Sequence, residues 1–232
     1  MFLMSTSKTT ILVTGFGPFP GTEQNPAEFL AKELVRRPAS SPALAACERV
    51  SGCLPTHWQK IRPALTSLLA RYRPQIILHI GYAATSPGFH LEEAAYNRTC
   101  NNPDVDGIKG NRAAILNDGP VMIKNTLPLQ EMARRLVNIG LCAKTSNDPG
   151  LYLCNMAYYL SLCHALGCSK AYPVARHHSC LFVHIPTIET ENGLLPPDDE
   201  LETTLSFSDA CRGLDLLLEE LLTCHNAKTA MT

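Results

Sequence analysis

No stretch of the 232 residues runs uninterrupted through about 18 apolar side chains, the length that a helix needs to cross a bilayer. A membrane-spanning helix is therefore not expected. Charge is scarce as well: 18% of the residues are charged, and 20 Lys plus Arg stand against 21 Asp plus Glu. No basic run interleaved with aromatics offers a surface that could track phosphates, so nucleic acid is not expected as a partner. The opening "MFLMSTSKTTILVTG" lacks a charged segment ahead of an apolar core and lacks a small-residue cleavage site, which points to a cytoplasmic protein. Ten cysteines are present, yet no two have C-x-x-C spacing, and the His-rich "ARHHSC" has no second ligand pair nearby, so a metal is not expected. Disulfide scaffolds are short, whereas a chain of this length with 45% hydrophobic residues can bury a core without staples. Its thiols are expected to be reduced.

What is present is a regular alternation of apolar runs and amphipathic stretches. "TTILVTGF" reads as a buried strand ending in a Gly turn, and "NPAEFLAKELVRR" as a helix with Asn25 as cap and Pro26 at its first position. "CERVSGCLP" is a further strand, "WQKIRPALTSLLARY" a helix and "PQIILHIGYA" a second buried strand. An irregular middle covers about 86–118. The spacing then predicts a helix at "PLQEMARRLVNIG", a short strand at "GLYLC", a helix at "NMAYYLSLCHALG", a strand at "SCLFVHIP" and a terminal helix at "SDACRGLDLLLEELLTC". Strands such as "IILHI" and "CLFVHI" read as nearly continuous apolar runs rather than as polar alternation, as strands covered on both faces do. The expected fold class is α/β, with a mainly parallel sheet between helical layers in one domain, 1–232. Chemistry on such sheets gathers at the carboxyl ends of the strands.

Three features fall at that edge: the turn "GFGPFPG", the segment after "IILHI", and Cys154. The turn is no phosphate loop, because Pro18, Phe19 and Pro20 stand where close backbone approach is needed. Phe16 and Phe19 form either an apolar wall for a small ligand or plugs of the core. Cys154 lies where "GLYLC" gives way to a helical pattern, and backbone N–H groups at a helix start favour thiolate over thiol. It is either a nucleophile or, like the other nine cysteines, a small buried hydrophobe. His184 is a polar residue in the apolar strand "LFVHIP", readable as a hydrogen-bonded core residue or as the imidazole that a thiol nucleophile requires. Glu92, in "FHLEEAAYN", is a candidate to orient that ring, or a solvated helix-start acid.

The blocks "ILVTGFGPF…NP", "HIGYA…LEEAAYN", "DGP…TLP", "SNDPGLYLCN" and "FVHIP" occur in this order, and together the chain resembles the pyroglutamyl peptidase I family, the pyrrolidone-carboxylate peptidases. The resemblance spans about 11–186. It implies a three-layer α/β/α sandwich, a Cys-His-Glu triad, and removal of an N-terminal pyroglutamyl residue from peptides without cofactor or metal. By motif, Cys154 would be the nucleophile, His184 the base and acid, and Glu92, rather than Glu93, the orienting carboxylate. Phe16 and Phe19 match the aromatics that sandwich the lactam, and Leu153 would line the same pocket. Tyr82 stands close to the lactam, where many bacterial members have Gln. The resemblance also implies a homo-oligomer, a tetramer. Two alternatives remain at this point: a relative acting on a different small N-acyl amide, and a non-catalytic small-molecule-binding domain.

Overall fold

The protein is described by a computed structural model at residues 8–176, 178–196 and 204–230. The start of the chain, His177 of "ARHHSC" and the end of "ETENGLLPPDDE" lie outside the described residues. In chain order the elements are β1 (Thr10–Phe16), α1 (Pro26–Arg36), α2 (Pro42–Ala45), β2 (Glu48–Leu54), α3 (Ile61–Tyr72), β3 (Ile76–Tyr82), β4 (Phe89–Glu92), β5 (Ala94–Tyr96) and β6 (Met122–Lys124). They continue with α4 (Leu129–Asn138), β7 (Ala143–Ser146), α5 (Leu153–Leu166), β8 (Ser179–Ile185), β9 (Thr187–Thr190), β10 (Gly193–Leu195), β11 (Thr204–Ser206) and α6 (Phe207–Thr229).

A six-stranded sheet in the order β2-β1-β3-β8-β4-β7 forms the middle layer. The first four strands are mutually parallel, whereas β4 runs antiparallel to β8 and pairs in parallel with β7. All seven residues of β1 and all seven of β8 are buried, as their largely apolar sequences require. Successive side chains point to opposite faces. Ile11 and Val13 thus join a core built with α1, α4 and α6, while Leu12 and Phe16 join one built with α3 and α5. These two cores make the three layers. α1 starts where its cap predicts: the Asn25 side chain accepts from the Ala27 N–H at 3.0 Å, with Pro26 at the first position.

The expected strand at "GLYLC" is not formed. Gly150 has a positive φ of 69°, the chain bends through Leu151 and Tyr152, and α5 begins at Leu153. The strand before that helix is β7, whose polar "AKTS" gives no apolar run because it lies at the sheet edge. The stretch expected to be irregular holds β4 and β5, too short for a periodic signal. One cysteine pair departs from the expectation of reduced thiols. Gly167 closes α5 in a left-handed conformation and returns the chain over the last turn, so Cys168 meets Cys163 in a disulfide with Cα atoms 5.2 Å apart. The remaining eight are free, but Cys53 and Cys142 are exposed rather than buried hydrophobes.

Candidate active site

The helix α5 is apolar nearly all round and almost wholly buried, because it is covered by the sheet on one side and by α3 and the segments around β5 and β6 on the others. Cys154 occupies its first turn. The cap residue Tyr152 makes no side-chain capping bond, which leaves first-turn N–H groups open beside the sulfur. Asn155, fully buried, fastens this start to the end of β5 and the residues after it: its Oδ1 accepts from the Tyr96 N–H at 2.7 Å, and its Nδ2 donates to the carbonyls of Tyr96 at 2.8 Å and Arg98 at 3.0 Å.

His184 comes from the carboxyl end of β8, with its imidazole near enough to the Cys154 sulfur to raise its own pKa. Its Nδ1 lies 2.7 Å from Glu92 Oε1. Because β4 runs antiparallel to β8, with His90 opposite His184, Glu92 enters from beneath the imidazole and is only 1% exposed. Burial disfavours a charged imidazole here, but hydrogen bonds with Cys154 and Glu92 and the charges they bring outweigh it, and the His184 pKa rises to about 9. Gly81, opposite His184 in β3, leaves the room this ring needs: a Cβ there would lie 2.8 Å from the imidazole Cδ2 and 2.7 Å from the Phe182 ring.

The neighbouring glutamate is used differently. Glu93 turns outward, where its Oε1 accepts from Gln130 Nε2 at 2.9 Å. His90 stays apart from the proton chemistry, since burial, then Lys144 and His184, hold its pKa down at about 4.

The two phenylalanines also diverge. Phe16 is 3% exposed, with its ring 6.1 Å from that of Phe182, which itself stands 4.9 Å from His184. It is core beneath the site. Phe19 is half-buried on the loop beyond β1, 6.2 Å from the Tyr82 ring, and the loop is pinned by paired backbone bonds between Phe19 and Thr22 and by the Thr56 hydroxyl donating to the Pro18 carbonyl. The Tyr82 hydroxyl reaches Thr187 Oγ1 at 3.0 Å. Leu153 has no exposed surface and packs in the α3/α5 core. Sequence reasoning missed the supporting residues Gly81 and Tyr158. For Tyr158 the signal was available: a tyrosine inside an all-buried helix must find a partner for its hydroxyl, and this one lies a turn beyond Cys154 on the same face.

A thiol at a helix start, an imidazole beside it and a buried carboxylate behind the imidazole make the arrangement of a cysteine hydrolase, here on an α/β/α sandwich. The chain belongs to the pyroglutamyl peptidase family, whose model matches residues 9–217. It is 32% identical over 219 residues to the pyrrolidone-carboxylate peptidase of Pyrococcus furiosus, covering 91% of this chain and 99% of that one. The same protein of Gloeobacter violaceus is 32% identical over 219 residues, with 93% and 98% covered. Among solved structures, a mutant pyrrolidone carboxyl peptidase from P. furiosus superposes with a TM-score of 0.76 at 29% identity, covering 93% of this chain and 99% of that one. The pyrrolidone carboxyl peptidase of Thermococcus litoralis shares the fold, with a TM-score of 0.79 at 24% identity over 95% and 96% of the two chains.

Proposed function

We propose that this chain is a cysteine exopeptidase that hydrolyses the amide bond after an N-terminal pyroglutamyl residue, with Cys154, His184 and Glu92 as its catalytic groups. The observation that carries the assignment is the placement of His184 between the Cys154 sulfur and the Glu92 carboxylate. Nδ1 is taken by Glu92, so Nε2 serves the sulfur. The thiolate of Cys154 attacks the pyroglutamyl carbonyl carbon, and the oxyanion that forms is met by the open N–H groups of the α5 start. His184, an imidazolium at neutral pH, protonates the leaving amine as the C–N bond breaks, leaving a thioester on Cys154. The now neutral imidazole takes a proton from water, which attacks the thioester and releases pyroglutamate. Neither metal nor cofactor enters these steps.

The lactam is neutral and small, and the half-buried Phe19 beside Tyr82 offers an aromatic wall for its ring, with Phe16 and Leu153 in the core behind it rather than at its surface. The Tyr82–Thr187 contact is the one observation that favours a second reading, a different small N-acyl group in a reshaped pocket. One assay separates the two. Pyroglutamyl, prolyl and glutamyl amides of the same chromogen are offered to the enzyme; release from the first alone supports the proposal, release from another acyl group supports the second reading, and no release refutes both. A homo-oligomeric, tetrameric state and a cytoplasmic setting belong to the same proposal, and light scattering of the purified protein and fractionation of cells test them.

A further inference from the structure

The carboxylate of the triad comes from β4 and the sulfur from α5, two elements far apart in sequence. Their relative position must be set by something other than the chain between them. Asn155 ties the start of α5 to Tyr96 and Arg98, and a second side chain reaches Glu92 itself. Tyr158, on α5 one turn beyond Cys154 and with no exposed surface, donates its hydroxyl to the main-chain carbonyl of Glu92 at 2.8 Å. The same hydroxyl accepts from Asn125 Nδ2 at 2.6 Å, and Asn125 in turn donates to the Cys180 carbonyl in β8, at 2.8 Å, on the strand that carries His184. The Asn125 side chain is itself held, since its Oδ1 accepts from the Leu127 N–H at 2.9 Å. The Tyr158 ring lies 5.7 Å from that of Phe182, the residue that packs against His184. A buried hydroxyl with both its donor and its acceptor capacity used in this way has one orientation.

We propose that Tyr158 is a positioning residue for the reaction: through the Glu92 carbonyl it sets β4 in register with the helix that carries Cys154, and through Asn125 it ties both to β8, so that carboxylate, imidazole and sulfur stand in line. This inference rests on the triad assignment given above. It assigns Tyr158 no contact with substrate. Its hydroxyl acts only by fixing where the Glu92 side chain begins, and displacements of about 1 Å in such a constellation cost up to about a hundredfold in rate.

The fold supplies a matched control. Tyr159 likewise has no exposed surface and also donates to a main-chain carbonyl, that of Pro120, at 2.7 Å; its hydroxyl lies nearer the surface than that of Tyr158, and the carbonyl belongs to no part of the triad. Tyr158→Phe and Tyr159→Phe each remove one hydrogen-bonded hydroxyl and are both expected to lower the melting temperature. Tyr158→Phe alone should lower kcat, by about tenfold, with KM for a pyroglutamyl amide unchanged. The effect should also vanish in a Glu92→Gln background, because a residue that acts through Glu92 has nothing left to position once the carboxylate is gone. If Tyr158→Phe lowers kcat by the same factor with and without Glu92, or no more than Tyr159→Phe does, or raises KM instead, the positioning role is wrong. A Cys154→Ala variant that keeps full activity would instead overturn the triad assignment itself, so the two failures are told apart.

Discussion

Two histidines sit in almost the same sequence context, His79 in "ILHI" of β3 and His184 in "FVHI" of β8, in neighbouring strands of one sheet and turned toward the same helix. His79 is fully buried between two hydroxyls, with Thr14 Oγ1 2.6 Å from Nδ1 and Ser161 Oγ 2.8 Å from Nε2. Burial, then the nearby His178, pulls its pKa down to about 3. His184 is nearly as deeply placed, yet a carboxylate and a thiol flank it and its pKa rises to about 9. Burial therefore does not decide the charge of an imidazole. The charge of its partners does, and α5 delivers one partner to each ring, Cys154 in its first turn to His184 and Ser161 two turns on to His79, while β4 adds Glu92 and β1 adds Thr14.

The largest expected effect breaks this comparison outright. Cys154→Ala and His184→Ala should each lower turnover by ~10³-fold or more, whereas His79→Gln should leave turnover within about threefold and lower only the melting temperature. An equal loss of activity from His79→Gln and His184→Ala, measured at matched folded fraction, would show that the two histidines are not separated as their partners suggest. The sulfur gives a parallel reading. Cys154 should be the first thiol alkylated by iodoacetamide near neutral pH, and His184→Ala should slow the reaction by removing the neighbouring cation. Cys53 also reaches the surface, but partial burial of its sulfur and then Glu28 push its thiol up to about 11. Peptide mapping after partial inactivation settles which sulfur carries the label.

Next in size is the contrast between adjacent glutamates. Glu92→Gln should lower kcat by ~10²-fold or more, since an amide at that position can orient the wrong imidazole tautomer. Glu93→Gln disturbs one surface bond to Gln130 and should change kcat by less than about twofold. A larger loss at Glu93 would reverse the assignment.

The phenylalanines are expected to divide along the line that burial draws. Phe16→Ala removes a ring from the α3/α5 core and should cost about 3 kcal/mol or more of stability. Phe19→Ala should leave most of the stability in place and raise KM by about tenfold, read from denaturant melts and initial rates on the same samples. A stable Phe16→Ala variant with a raised KM would place that ring in the substrate pocket instead of under it.

How much of this was legible in the sequence depends on whether the signal was local. β1, β3 and β8 are covered on both faces, so their apolar runs announce them, and Asn25-Pro26 marks the start of α1 by cap chemistry alone. β4 and β7 were missed because they are short or polar and owe their state to pairing partners far along the chain. "GLYLC" misled because a few apolar residues before a buried helix look the same as a short strand. The three residues expected to form a triad, Cys154, His184 and Glu92, stand together in space, but composition could not have separated His184 from His79, or Phe16 from Phe19. Those distinctions lie in which side chains the tertiary fold brings alongside, and the Cys163–Cys168 pair likewise exists only because Gly167 turns the chain back.

The smallest expected effect is the sharpest test of the comparison, because for one of the two histidines it is no change at all. In a series of spectra from pH 5 to pH 9 with isotope-labelled histidine, the His79 resonances should stay in the neutral form throughout, since its pKa of about 3 lies below the window. The His184 resonances should report an imidazolium at neutral pH that loses its proton near pH 9, and activity should fall over the same range as the proton donor for the leaving amine disappears. The linked stabilities run in opposite directions. His184, raised above its ordinary 6.5, binds its proton more tightly in the folded chain; its contribution is complete below 6.5 and is lost as the pH climbs through 9. His79, lowered from 6.5, is neutral in the folded chain at pH values where the unfolded chain already protonates; its contribution is complete above 6.5 and drains away as the pH falls toward 3. Denaturant melts across pH should therefore show a stability that declines on both sides of neutrality, with His79→Gln flattening the acid side and His184→Gln the alkaline side. If both variants flatten the same side, or if the His79 resonances titrate near 6.5, the two imidazoles are not distinguished by their partners.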